Sequence, residues 1–71
     1  MADISLSSIR RIMKKAGIDR ASKEAVEALR DIAEKYVLEI SKLALQLAGH
    51  AKRKTVSKED ILMAVKIQHG K

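Results

Sequence analysis

Between Ser22 and Ala51 the apolar positions fall at Ala25, Leu29, Ile32, Tyr36, Ile40, Leu43 and Leu47. Steps of three and four residues trace one face of a helix, not the alternation of a strand. A second row, Val26, Ala33, Val37, Ala44, Ala48 and Ala51, runs beside the first, so the apolar face is broad. The stretch holds no Pro, and its only Gly, Gly49, stands near its end. The pattern predicts a long helix over about residues 23–50, with Ser22 as its N-cap and Glu24 in its first turn.

Shorter helical patterns flank it. Leu6, Ile9, Ile12, Met13 and Ala16 predict a helix over about residues 6–16, capped by Ser5. Gly17 follows, where a left-handed backbone is cheap without a Cβ. Arg10, Arg11, Lys14 and Lys15 pair up between the apolar positions and suit the negative end of the helix dipole. Residues 17–22 make a tight connection. After the long helix, Lys52, Arg53 and Lys54 followed by Thr55-Val56 suggest a short extended piece. Ser57-Lys58-Glu59-Asp60 is an S-x-x-D capping box that opens a third helix over about residues 58–68. Ile61, Ala64, Val65 and Gln68 share a face of it, and residues 69–71 read as a frayed tail. No repeat, linker or low-complexity segment interrupts the order. The expectation is one all-α domain spanning residues 1–71.

The length of the central helix changes the picture. Its 28 residues span roughly 42 Å at about 1.5 Å each. A compact chain of this size is a globule roughly 30 Å across. Two short flanking helices cannot cover the long apolar face, which implies a second chain packed across it. A monomeric three-helix bundle with a frayed long helix is the plainer alternative. A 71-residue chain without Cys has no disulfide to compensate for a small core, and association is the remaining route to stability.

Composition narrows the function. No apolar run approaches the roughly 20 residues of a membrane span, and Met-Ala-Asp-Ile lacks the features of a signal peptide, so a soluble, cytoplasmic protein is expected. The net charge of +6 is unevenly placed. Residues 1–21 carry five bases and two acids, residues 22–50 four bases and five acids, and residues 51–71 six bases and two acids. Basic ends around a nearly neutral helix suit a polyanion.

Enzymatic chemistry finds no support. There is no Cys nucleophile, no Gly-rich phosphate loop and no metal-ligand spacing, so neither cofactor nor metal is expected. His50 reads as an interface or packing residue. Tyr36 is the only aromatic residue and lies in the apolar row, so the stacking platforms of RNA and single-strand binders are missing. Charge aimed at duplex phosphates remains. If two chains cross antiparallel through their long helices, the loop at Arg20 of one comes beside the Arg53-Lys54-Thr55 loop of the other. Backbone amides, the Thr hydroxyl and helix N-termini would add to the charge there.

These residues resemble archaeal histones, the minimal histone-fold proteins, over residues 6–67. The matching pieces are Ile9-Arg10-Arg11-Ile12-Met13-Lys14-Lys15-Ala16-Gly17, Arg20-Ala21-Ser22 and Leu47-Ala48-Gly49-His50-Ala51, with Arg53-Lys54-Thr55-Val56-Ser57-Lys58-Glu59-Asp60-Ile61 the most specific. The resemblance implies a histone fold in an antiparallel handshake dimer, each chain giving a short strand beside its partner's loop. Its dimer core would hold Leu29, Ile32, Tyr36, Ile40 and Leu43. It implies DNA contacts from Arg11 and Lys14 in the first helix, Arg20 in the minor groove, and Lys54 and Thr55 on phosphates. Arg53 and Asp60 would form a buried structural ion pair. Leu47, His50 and Asp60 would join dimers into tetramers or longer stacks, and Gly17 would permit close approach of stacked layers. If His50 meets Asp60 across that contact, its protonation would favour assembly at mildly acid pH.

The chain departs from the family pattern at several points. Ser5, Ser7 and Ser8 fill a region where the family often has Pro, Gly49 replaces a common base, and Lys52 replaces the usual Gly. Leu43 and Leu62 are apolar where charge is frequent. The expected partner is double-stranded DNA, bound as a homodimer or as a heterodimer with a related histone and associated with the nucleoid. The alternative is a histone-fold protein serving as an interaction scaffold in a transcription complex.

Overall fold

A computed structural model describes residues 3–70 of the chain. Three helices follow one another: α1 (Leu6–Lys15), α2 (Lys23–His50) and α3 (Lys58–His69). The order short, long, short is the one the apolar spacing predicts.

Side chains at the caps set the boundaries. Ser5 is extended, and its Oγ accepts from the Ser8 N–H at 3.1 Å. The Ala25 N–H donates to Ser22 Oγ at 3.0 Å and opens α2. The Ser57 hydroxyl accepts from the Asp60 N–H while the Asp60 carboxylate accepts from the Ser57 N–H, a complete capping box on α3.

The first two helices end in the same six-residue closure. After α1 the Ile18 N–H reaches the Met13 carbonyl at 3.1 Å and the Gly17 N–H reaches Lys14 at 3.0 Å, with Gly17 at φ 93°. After α2 the Arg53 N–H reaches Ala48 and the Lys52 N–H reaches Gly49, both at 2.9 Å. The left-handed residue there is Lys52, at φ 59°. Ala16, expected as the last helical residue, is the C-cap of α1.

Two expectations need correction. Residues 51–57 form turn and bend, with no strand among the described residues. A strand exists only where a second backbone answers its N–H and C=O groups, and this stretch meets none within its own chain. The frayed tail expected over residues 69–71 starts later. His69 is helical, Gly70 is the C-cap, and Lys71 lies outside the described residues. His69 is held because its Nε2 and the Tyr36 hydroxyl lie 3.0 Å apart with the rings edge to face. One residue earlier, Gln68 Nε2 donates to Glu39.

The chain divides into two compact units, Met1–Lys35 and Tyr36–Lys71. In the first, Ile9 of α1 and Val26 of α2 are the buried apolar side chains. In the second, Ile40, Ala44 and Ala64 form a core against which Leu43, Leu47 and Val65 pack, and Ala48 is buried too.

The broad apolar face of α2 therefore splits. Most of its buried positions, Val26, Ala44 and Ala48, come from the second row. The first row stays open at Leu29, Tyr36 and Ile32, the last with 64% of its surface exposed. At about 100° per residue the two sets lie roughly a quarter turn apart. Of the five residues expected in a dimer core, Leu29, Ile32 and Tyr36 face solvent. Ile40 is already buried in its own chain, and Leu43 packs on that core.

Candidate nucleic-acid interface

The basic groups stand on the last turns of α1 and on the two loops. In the first unit, Arg11 and Lys14 project from α1 and Arg20 from the loop, all exposed. Arg10 reaches across that loop, its guanidinium donating to the Ala21 carbonyl at 3.3 Å. Gly17 is exposed and holds the positive φ that its place after α1 requires, with open space where a Cβ would sit. It thus has a local conformational role, apart from any role in stacking.

In the second unit the structure gathers Arg53, Thr55, Ser57 and Asp60 into one bonded cluster. The Arg53 guanidinium meets the Asp60 carboxylate through two parallel bonds of 2.8 Å and also donates to the Thr55 carbonyl at 3.3 Å. Asp60 Oδ2 further accepts from the Ser57 N–H at 2.9 Å and the Ser57 hydroxyl at 3.1 Å. Asp60 is the one buried charged residue among those described, at 6% exposure.

A carboxylate out of water needs such compensation. The hydrogen bond from Arg53 is the main reason its pKa falls well below the usual carboxylate range. The Ser57 N–H and hydroxyl add to this, against the opposing effect of burial. The same bond raises the Arg53 pKa. The pair is a brace: it fixes the path from the end of α2 to the start of α3. Lys54 and Thr55 stand on that path with exposed side chains.

Arg11, Lys14, Arg20 and Lys54 form no ion pair among the described residues. The salt bridges found there are Arg53–Asp60 and the neighbouring pair Arg30–Asp31. His50 is exposed in the last turn of α2, and Leu47 is half-buried against the core of its own unit. Because Arg53 and Ser57 already engage the Asp60 carboxylate, any further contact of His50 with Asp60 must share it.

Three features escape a reading of sequence alone. Lys52 adopts the left-handed conformation, which the same closing pattern at Gly17 foreshadows. Tyr36 and His69 pair across 33 positions, which no local pattern signals. Glu34 of α2 accepts the N–H groups of both Asp3 and Ile4 through one oxygen, at 2.5 and 2.6 Å. A single glutamate on a helix carries no mark of such a contact. Among the described residues no cluster of ligands could hold a metal ion, and no helix is long and apolar enough to cross a membrane.

Comparison with known proteins gives the arrangement a family. Residues 2–65 match the model of a family described as histone-like transcription factor (CBF/NF-Y) and archaeal histone. The chain is 44% identical over 66 residues to the archaeal histone HAN1 of Thermococcus zilligii, covering 93% of this chain and 98% of that one. It is 41% identical over 66 residues to probable archaeal histone 3 of Methanocaldococcus jannaschii, with the same coverage. To histone H4 of Encephalitozoon cuniculi it is 36% identical over 63 residues, 89% of this chain and 61% of that one. The all-α order of short, long and short helix, with Arg53 braced on Asp60, is thus a histone fold, and the chain belongs to the family of histone-like transcription factors and archaeal histones.

Proposed function

We propose that this chain is an architectural DNA-binding protein that bends or wraps duplex DNA with little sequence preference. Two copies pair antiparallel in a handshake, each covering the open row of Leu29, Ile32 and Tyr36 on the other. Ile40 and Leu43 lie beneath that row as its floor. Pairing brings the Arg20 loop of one copy beside the Lys54-Thr55 loop of its partner. Arg11, Lys14, Arg20, Lys54 and Thr55 contact the phosphates, with Arg20 entering the minor groove. Dimers join through Leu47, His50 and Asp60 into tetramers or longer stacks, with Gly17 at the closest approach of layers. The protein acts on the chromosome in the cytoplasm, and a related histone can replace one copy of the pair.

One observation carries this reading. The four bases stand exposed and uncommitted to any acid, while the buried carboxylate beside them spends its charge on bracing the loop. Side chains held this way are available to phosphates but carry no means of reading bases. Sequence preference then comes from how easily the DNA bends.

Salt titration of binding tests it. Contact with about six phosphates per dimer gives a slope of log affinity against log salt near −5, at roughly −0.9 per phosphate. Affinity independent of salt would contradict the reading. Arg20→Ala and Lys54→Ala should each weaken binding to all duplex sequences alike, and a loss confined to one sequence would count against it.

A second reading, an interaction scaffold in a transcription complex, has its own observation. Leu38 and Leu45 lie on the side of α2 away from the buried row, and both are exposed, as is Leu62 of α3. These apolar side chains exceed what the handshake row requires. A pure chain that stays unfolded or aggregated until an unlike partner is added would favour the scaffold.

A further inference from the structure

We infer that Glu34 is a positioning residue for DNA binding: it ties the segment ahead of α1 to α2 and so holds the basic turns of α1 at their working angle. The inference rests on the duplex-binding reading above and assigns a role to an acid in a basic protein.

The geometry is specific. One carboxylate oxygen of Glu34 accepts the N–H groups of Asp3 and Ile4, the two residues before the N-cap Ser5. Both amides precede the first turn of α1, where the helix dipole also favours negative charge. Charge-assisted bonds from two backbone donors hold the segment in place without a side chain of its own.

α1 needs such a tie. It has ten residues, too few for an isolated helix to persist in water, and Ile9 is its only buried side chain. A short helix seated on one side chain can pivot about it. At the far end, the Schellman closure at Gly17 and the Arg10 bond to Ala21 restrain α1 against its loop. At the near end, the Glu34 tie supplies the restraint. Arg11 and Lys14 stand on the opposite side of Ile9 from it, so a swing at the near end moves them. Phosphate contacts are set by position, and a base displaced by a few ångströms loses its partner.

Elementary electrostatics predicts the opposite sign, and this makes the claim testable. Removing an acid from a protein of net charge +6 should tighten its hold on a polyanion. If Glu34 positions α1, Glu34→Ala should weaken binding in spite of the added positive charge. Should α1 occupy its working angle about a fifth of the time once untied, affinity falls about fivefold. Glu34→Gln keeps an oxygen that accepts both amides while losing the charge, so it should bind at least as tightly as the parent. Glu27→Gln removes an acid of the same helix that forms no hydrogen bond among the described residues, and should also tighten binding.

The experiment is a titration of random-sequence duplex DNA with the full-length protein and these three variants at one salt concentration. It is paired with amide hydrogen exchange at Asp3 and Ile4. The expected result is weakened Glu34→Ala, Glu34→Gln equal to the parent or tighter, and amides protected in the parent and exposed in Glu34→Ala. Glu34→Ala binding as tightly as Glu34→Gln overturns the inference. So do unprotected Asp3 and Ile4 amides in the parent, a readout that stands even if the alanine variant fails to fold. Failure of the parent itself to bind duplex DNA would overturn the duplex reading instead.

Discussion

Asp60 shows how much one side chain can settle. Its carboxylate closes the capping box of α3 and pins Arg53 with two bonds, so one buried group fixes a helix start and a loop. Its pKa is lowered in the folded chain, chiefly by the bond from Arg53. The folded state therefore releases this proton more readily than the unfolded state. The stabilisation is fully present above the ordinary carboxylate pKa of about 3.9 and is lost as pH falls through the folded value. Urea midpoints should then show Asp60→Asn less stable than the parent by a constant margin at neutral pH, with the margin narrowing below about pH 4. A margin unchanged from neutral to strongly acid solution would mean the charge is not what matters. Lys52 is the converse case. Its φ of 59° costs a residue with a Cβ, so Lys52→Gly should raise stability by about 0.5–1 kcal/mol in chemical denaturation. Loss of stability in that variant would show that the lysine side chain contributes more than its backbone costs.

At the scale of elements, much was legible because helices announce themselves locally. Ser5, Ser22 and Ser57 cap where their hydroxyls can reach the next turn, and each lies just before its periodic run. The S-x-x-D spacing located α3, and Gly17 located the end of α1. Two kinds of feature were hidden. A conformation imposed by the closing pattern, such as the left-handed Lys52, is forced by the hydrogen bonds of the turn and not by the residue's own preference. Long-range contacts, such as Tyr36 with His69 and Glu34 with the segment before α1, depend on which helix faces meet. Periodicity also could not say which of the two adjacent rows of α2 the chain covers for itself. The structure divides them, with the small residues Ala44 and Ala48 under α3's side of the core and the larger Leu29, Ile32 and Tyr36 left open. Small side chains allow close helix approach, so a short helix can bury them, whereas the larger ones need more surface than it offers.

For the whole molecule, the central claim is that the open row of α2 is the seat of a second copy and that DNA binding follows from the pairing. Folding and association are then one process, and stability depends on protein concentration by mass action. Thermal unfolding across a hundredfold range of protein concentration, with no DNA present, tests this most directly. A pairing chain gives a Tm that climbs steadily with concentration, and Ile32→Asp abolishes the climb along with the folded signal at low concentration. A Tm that stays flat while the sedimenting mass remains that of one 7.9 kDa chain would contradict the pairing, and with it the joined basic loops.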